Sequence, residues 1–450
     1  MKVALSVAGS DSGAAAGVQA DLKTFSALGI YGCTAITAIT AQNTTKVAKV
    51  FEVPADTVKA QVSAVMLDSP PDAIKVGMVY SAEIIEVVTV SLSMTKTPIV
   101  LDPILAAGTG YALLQKNALE PLVKKLLPIC TLVTPNRMEA EKLSGVKIRD
   151  DADAIRAAKK IRSLGVKNVI IKGGHAGKDV VTDILLEKSG RLTRISNPRI
   201  RIKETHGSGC NFSAAATAYL ARGFDLAEAC IRANEYVHNA IKGVERVGRG
   251  LPVTNPLSSM YRDAQCHATL VELQTAVDRL VALQGFARLI PETATNFAYA
   301  IPDASSAADV AAVRGRIVRS GDAAVPVSRV EFGASRHMAS AVIAYMKIRP
   351  SMCSVINIRY EGKLVEACRS LFSVSNYERS KEPSGTRSKE GSSVYWGTSA
   401  ALAKNPSADI IYHKGARGKE PMITVFGKSP TDVLGKIEKI LKAYRWSSLL

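Results

Sequence analysis

Residues 1–17 read MKVALSVAGSDSGAAAG, a short apolar run that passes directly into a turn of glycine, serine and aspartate. No extended hydrophobic region or small-residue cleavage site follows, so the run reads as a first strand and not as a signal peptide. The same unit of apolar run, polar turn and amphipathic stretch recurs to about residue 250. It predicts strands over 3–8, 34–39, 73–76, 98–101, 130–133 and 168–171, and strands alternating with helices are the mark of a largely parallel α/β sheet. Polar or glycine residues follow these strands: Gly9-Ser10-Asp11, Gln42-Asn43, Gly77-Met78, Asp102-Pro103, Thr134-Pro135-Asn136 and Lys172-Gly173-Gly174-His175. Ligands of open α/β sheets bind beyond the carboxyl ends of the strands, so the series predicts one rim that carries a site. Solvated turns are the competing reading. Runs over 181–186 and 192–195 predict an antiparallel hairpin that closes the sheet.

Residues 205–210, THGSGC, open a helical stretch that stops at Gly223. A glycine turn at the start of a helix is an anion site, because unpaired backbone N–H groups and the positive end of the dipole meet there. Residues 248–265 hold two prolines and little periodicity, which marks a junction. The expected organisation is a domain over 1–252, a linker over 253–264 and a separate α/β domain over 265–450. The second domain opens on a helix near 268–284, with Leu270, Leu273, Val277, Leu280 and Val281 at helical spacing. A chain of 450 residues exceeds what one core supports, in agreement with two domains.

The formal net charge is +18, shared as +9 on residues 1–260 and +9 on the remainder, with no run of five like charges. A nucleic-acid arm or membrane-binding tail would concentrate the excess, so small anionic ligands fit better. The seven cysteines form no close-spaced pair, and an odd number cannot all pair within one chain, which points to reduced thiols and a cytoplasmic location. No apolar stretch reaches the roughly 18 residues needed to span a bilayer.

The segments AGSDSGAAAGVQADLKTFSALGIYGCTAITAITAQNT (8–44), KVGM (75–78), LDPIL (101–105), TPNRMEAE (134–141), IKGGH (171–175) and THGSGC (205–210) together resemble the hydroxymethylpyrimidine and phosphomethylpyrimidine kinase family, ThiD, of ribokinase-like fold. The resemblance implies phosphorylation of 4-amino-5-hydroxymethyl-2-methylpyrimidine by ATP with Mg²⁺, first to the phosphate and then to the pyrophosphate. Phosphoryl transfer needs positioning, a base for the hydroxyl and donors for the phosphate oxygens. Gly207, Ser208 and Gly209 can offer backbone N–H groups, and Lys172 would meet ATP phosphates, although a lysine after a strand is also commonly just solvated. Cys210 is the candidate base, at a helix start where a thiol pKa is expected to fall; a small buried apolar residue is the alternative. Asp102, Asn136 and Glu139 would organise Mg²⁺ and its waters. Gly9, Asp21, Gln42 and Met78 correspond to pyrimidine contacts. An amide such as Gln42 offers both a donor and an acceptor to the ring edge, whereas a methionine after a strand also serves as core filler. Two departures from the family pattern stand out: Ala14 and Ala15 where glycines are common, and Gly108-Thr109-Gly110 where a Lys-Ser-Gly flap is common.

In the second half, GRIVRSGDAAVP (315–326), VEFGASRHMASAVIAYMKIRP (330–350), INIRY (356–360), VYWG (394–397) and KGARGKEPMITVFG (414–427) resemble ThiN, a thiamine-phosphate synthase domain often fused behind such a kinase. The implied reaction couples the pyrimidine pyrophosphate with 4-methyl-5-(2-phosphoethyl)thiazole, giving thiamine phosphate and pyrophosphate. Departure of pyrophosphate calls for an arginine fork and a histidine able to donate or carry a proton. Arg316 and His337 take those roles by motif position. Arg316 also reads as one of several surface arginines, and His337 as a helix-start residue facing solvent. Ser335 fits an N-cap whose turn could hold a phosphate. Asn357, Arg359, Lys419 and Glu420 are further lining candidates, and His413 reads as structural. A domain that only senses thiamine phosphate is the alternative. The expected partners are small molecules, with no nucleic acid or membrane, in a homodimer or higher homo-oligomer.

Overall fold

The computed structural model describes residues 1–108, 110–173, 179–202, 205–383, 391–416 and 418–447. They divide into two compact units, Met1–Tyr261 and Arg262–Leu450.

The first unit is built on a nine-stranded sheet of β1 (Val3–Asp11), β2 (Tyr31–Gln42), β3 (Val47–Glu52), β4 (Ala73–Val76), β5 (Ile99–Leu101), β6 (Leu132–Val133), β7 (Asn168–Ile171), β8 (Val180–Leu186) and β9 (Leu192–Pro198). Its order is β3-β2-β1-β4-β5-β6-β7-β8-β9. From β2 through β7 every neighbouring pair is parallel, while β3 and the β8–β9 hairpin run antiparallel at the two edges. Alternation along a strand sends side chains to both faces. Leu5 and Val7 join the core that also holds Val58, Ile84 and Ile161, whereas Ala4 packs with Phe25, Ala214 and Ala218 on the opposite side. Both faces are therefore covered, and the inner strands read as continuous apolar runs rather than as alternating ones. Helix Ser208–Ala221 is buried at Cys210 through Ala218. Its alanines and serines keep it thin enough to lie between the sheet and helix Leu226–Lys242.

All six expected parallel strands and the closing hairpin are present, β4 and β7 with the expected bounds and the others with shifted ends. The edge strand β3 was not expected. It carries alternating residues, but its outer face is exposed, Phe51 included, so the apolar signal is weak.

The second unit has a seven-stranded sheet ordered β14-β11-β10-β15-β18-β17-β16, from β10 (Phe297–Ala300), β11 (Val310–Val313), β14 (Val330–Phe332), β15 (Ser354–Arg359), β16 (Val374–Asn376), β17 (Ile410–His413) and β18 (Met422–Gly427). A separate hairpin joins β12 (Ile317–Ser320) to β13 (Ala323–Pro326). Every pair in the large sheet is antiparallel except β16 with β17. Ile356 and Ile358 face one core with Leu273, Leu364 and Val433, while Val355 faces another with Val342, Tyr345 and Leu402. Helix Ser258–Ala282 starts about ten residues before the expected position. Residues 260–265 are exposed all round, so no apolar stripe announces that turn of helix.

Candidate active site

Six parallel strands bring their carboxyl ends to one rim. There Gly9 and Asp11 from β1, Gln42 from β2, Met78 beyond β4, Asp102 after β5, Asn136 and Glu139 after β6, and Lys172 after β7 line a cavity of about 470 Å³. Gly207, Ser208, Gly209 and Cys210 close it from the start of helix Ser208–Ala221. The resemblance therefore nominated eleven residues, from five separate motifs and one glycine turn, that do share one enclosure. Asp21 is the exception. It is fully buried beneath the rim, where its carboxylate lies 2.6 and 2.7 Å from Lys75 Nζ and accepts a 2.6 Å hydrogen bond from Ser6 Oγ. Met78 lines the cavity and also packs with Ala38 and Leu113.

The glycines are placed by close approach. Gly207 has φ +94°, and a Cβ on it would collide with the Ala15 carbonyl oxygen. A Cβ on Gly209 would point into the cavity, 3.3 Å from Lys172 Nζ and 3.9 Å from Asp102 Oδ2. Opposite them, the Asp11 carboxylate accepts from Gly13 N at 2.8 Å, Ala16 N at 2.9 Å and Ala15 N at 3.1 Å, and so shapes the 11–16 loop. Ala14 adopts φ +55° in that loop, a left-handed conformation in which a Cβ is strained. Gly108 lies on the cavity wall, whereas Thr109, His175 and Glu204 fall outside the described residues.

The charged groups form a linked set. Lys172 Nζ lies 3.2 Å from Asp102 Oδ1, and Ser213 Oγ donates to Asp102 Oδ2 at 3.2 Å. Burial disfavours the Lys172 ammonium, but Asp102 and Glu139 outweigh it and hold its pKa above the ordinary value. Burial raises Glu139 to about 7, with Asp102 adding to the rise and Lys172 opposing it. Asn136 and Glu139 form a capping box: Glu139 N donates to Asn136 Oδ1 at 2.9 Å, and Asn136 N donates to Glu139 Oε2 at 2.7 Å. Asn136 thus fixes Glu139 rather than turning its own amide oxygen to the cavity.

The expected fall in the Cys210 pKa is reversed. The thiol is fully enclosed and burial lifts it to about 11, with Asp102 and Asp21 pushing the same way and Lys75 and the Gly17 N–H pulling down. Desolvation outweighs the helix dipole because the side chain is buried although it stands in the first turn.

Two lining groups carry polar chemistry that the motif reading did not single out. His206 Nε2 is 2.9 Å from the Gln42 amide nitrogen and 3.8 Å from Asp11 Oδ2. Asp183 is buried, accepts from Gly173 N at 2.8 Å and from Asn234 Nδ2 at 2.8 Å, and has its pKa raised by that burial. The only advance signal for His206 and Asp183 was position, beside the glycine turn and inside the hairpin. Pro198, Ile200, Ile202, Val237 and Ile241 form an apolar wall of the same cavity.

The second unit distributes its candidates. Asn357 Oδ1 accepts from Asn296 N at 2.7 Å, and its Nδ2 donates to Ala294 O at 3.1 Å, so this buried amide pins the 294–296 loop. Glu420 accepts from Glu292 N, Thr293 N and Thr293 Oγ1, and the exposed Arg316 donates to Thr293 O. Arg359 bonds Glu361 and, at 3.0 Å, Tyr444 Oη. Lys419 lies in the tight turn that it closes with Ala416. Ser335 caps helix Arg336–Met346 by accepting from Met338 N, and the exposed His337 stands in the first turn. Arg316 follows the end of β11, but His337 follows β14, whose continuation at Gly333 N donates to Val310 O at the beginning of β11. Arg316 and His337 are accordingly at opposite ends of one strand. His413 is buried with its ring centroid 5.0 Å from that of Tyr377, and burial, assisted by Arg379, lowers its pKa to about 4.

Comparison with known proteins accounts for both units. A family model described as phosphomethylpyrimidine kinase matches residues 11–255, and one described as thiamine-phosphate synthase ThiN matches residues 272–439. The chain is 31% identical over 445 residues to the bifunctional thiamine biosynthesis protein ThiDN of Methanocaldococcus jannaschii, covering 98% of this chain and 99% of that one. It is 44% identical over 259 residues to the hydroxymethylpyrimidine/phosphomethylpyrimidine kinase of Haemophilus influenzae, covering 57% of this chain and 96% of the relative. An ADP complex of Bacillus subtilis pyridoxal kinase superposes with a TM-score of 0.54 at 35% identity, over 58% of this chain and 99% of that one.

Proposed function

The chain belongs to the phosphomethylpyrimidine kinase family, fused to a thiamine-phosphate synthase ThiN domain, and from that premise we propose how its two units divide the work. The first unit phosphorylates 4-amino-5-hydroxymethyl-2-methylpyrimidine and then its phosphate at the expense of ATP. The second couples the resulting pyrophosphate to 4-methyl-5-(2-phosphoethyl)thiazole.

The observation that carries the kinase reading is the enclosure of Lys172, the Gly207–Gly209 turn and Cys210 with Asp102 and Glu139. Phosphoryl transfer relies on positioning and charge stabilisation. The free N–H groups of the turn suit phosphate oxygens, and Lys172 adds a fixed positive charge. The apolar wall of Pro198, Ile200, Ile202, Val237 and Ile241 suits a nucleotide base, and Gln42 with Met78 suits the pyrimidine. Cys210 is the group placed to take the hydroxyl proton.

Among the described residues no three His, Cys, Asp or Glu side chains cluster as a metal cage. Mg²⁺ needs no such cage, since it keeps several waters and takes one or two carboxylates together with substrate phosphates. Asp102 and Glu139 supply those two carboxylates, with Asn136 holding Glu139 in place. When bound, the ion neutralises phosphate charge.

In the second unit His337 and Arg316 would act on the leaving pyrophosphate. Purified protein supplied with the pyrimidine alcohol, thiazole phosphate, ATP and Mg²⁺ should form ADP and thiamine phosphate. Absence of ADP would remove the kinase assignment. Formation of ADP together with binding of thiamine phosphate but no synthesis would make the second unit a sensor.

A further inference from the structure

The pairing of β7 with β8 stops at Ile171 and Ile184, just before Lys172. There Lys172 turns from β8 toward the end of β6: its N–H donates to the Pro135 carbonyl at 3.0 Å, and it bridges Asn136. The next N–H, that of Gly173, lies past the ladder, and the Asp183 side chain takes it, Oδ1 accepting from Gly173 N at 2.8 Å. A backbone N–H can only donate, so the direction of this bond does not depend on how any side-chain amide is turned. Gly173 passes so close to β8 that a Cβ on it would stand 1.7 Å from the Thr182 carbonyl oxygen. Asp183 is itself held, for its Oδ2 bonds the Asn234 amide at 2.8 Å on helix Leu226–Lys242.

The consequence falls on Lys172. Each peptide unit is planar, so the Pro135 bond orients the unit before the Lys172 Cα and the Asp183 bond orients the unit after it. With both units held, the direction in which the lysine side chain leaves the backbone is set. Asp102 Oδ1, 3.2 Å from Nζ, holds the far end of the same side chain. A long lysine stem is otherwise free to sample many rotamers. Burying a carboxylate is costly unless it is hydrogen-bonded. Asp183 is buried at the cavity wall, and its bonds to Gly173 and Asn234, with the Lys172 charge, oppose the rise in pKa that burial imposes.

We propose that Asp183 is a positioning residue of the kinase, which closes the end of the β7–β8 ladder, fixes the backbone of Lys172 and so places the ammonium that the phosphates meet. The proposal rests on the reading of Lys172 as a phosphate-binding lysine. It separates Asp183 from a residue that merely stabilises the hairpin, because a positioning residue loses its effect on turnover once the group it positions is gone.

The test is a double-mutant cycle on the full chain, measured as ADP formation from the pyrimidine alcohol at saturating ATP and Mg²⁺. Asp183→Ala should lower kcat about tenfold, since a displacement on the order of 1 Å in a reacting group can cost up to about 10²-fold. KM for the pyrimidine should stay within about twofold of wild type. In the Lys172→Met background the same Asp183→Ala change should alter kcat by less than about twofold. Asp183→Asn keeps an oxygen for the Gly173 N–H and should retain most of the wild-type kcat. Equal fractional losses in both backgrounds, or an unchanged kcat in Asp183→Ala, would overturn the proposal. If Asp183→Ala does not fold, as judged by circular dichroism, Asp183→Ser takes its place in the cycle, its hydroxyl being one bond too short for Gly173, and the same outcomes decide. The premise is read from Lys172→Met alone: an unchanged kcat and KM for ATP in that variant would mean that Lys172 does not serve the phosphates.

Discussion

In the first unit the strands β1, β2, β4, β5, β6 and β7 run parallel, so the loops after six strands are delivered to the same rim, and motifs scattered from residue 9 to residue 210 end within one cavity. The second unit is antiparallel almost throughout, and consecutive loops leave from alternate ends of its sheet. Arg316 and His337, only twenty-one positions apart, consequently sit at opposite ends of β11. Motif order is a guide to spatial proximity where the topology is parallel and a poor one where it is not. The contrast extends to electrostatics. The kinase groups are buried and shift one another's pKa values, whereas Arg316 and His337 are exposed.

The sharpest way to break this comparison is to disable one unit and measure both reactions. His337→Ala should reduce thiamine phosphate formation from supplied pyrimidine pyrophosphate and thiazole phosphate to background while ADP formation stays at the wild-type rate. Unchanged coupling would remove His337 from the mechanism. Cys210→Ala should do the converse, lowering kinase kcat by about 10²- to 10⁴-fold, the usual worth of a positioned base. Because the Cys210 pKa is raised to about 11, its basic form is scarce at neutral pH and grows with pH. Wild-type kcat should therefore climb between pH 8 and pH 10, above the range in which Glu139 titrates, and the Cys210→Ala profile should be flat there. A flat wild-type profile would take the role of base away from the thiol.

Burial itself is tested by Lys75→Met, which leaves Asp21 without its partner in a fully enclosed position. A loss of about 3–5 kcal/mol in denaturant unfolding of the first unit is expected, and adding Asp21→Asn should recover most of it. Equal losses in the single and double variants would show that the two groups are not coupled. The smallest expected effect is at Ala14, where φ is +55°. Ala14→Gly should stabilise by about 1 kcal/mol by removing the left-handed strain, read as a small rise in Tm, and a fall would mean that the Ala methyl is packed favourably.

Much of the first unit was legible because buried parallel strands leave apolar runs of their own and end in polar turns. The strand β3 escaped because an exposed edge has only half of that pattern, and the first turns of helix Ser258–Ala282 because an unburied helix has none. Eleven of the twelve kinase candidates, which the resemblance nominated motif by motif, fall on the cavity, because the parallel strands end at one rim. Asp21 shows the limit: its sequence position gave no warning that Lys75, fifty-four residues later, would take its charge. The Cys210 shift was misjudged for a related reason, since a helix start is visible in a sequence while the depth of its burial is not. His206 stood inside a quoted motif without a role, because its contact is with Gln42, a residue 164 positions away.

The tight meeting of Gly207 with Ala15, together with the Thr24–Asn211 and Asn211–Thr254 side-chain bonds, ties the beginning of the first unit to its end. Chain synthesis runs from the N-terminus, and contacts of such long sequence separation form only after the intervening chain exists. The 207–209 turn and the loop facing it thus come together only when residue 254 has been made. The first unit is completed at the moment when the second begins to emerge, and a chain truncated shortly before that point would carry every candidate residue of the cavity yet lack the clasp that holds them together.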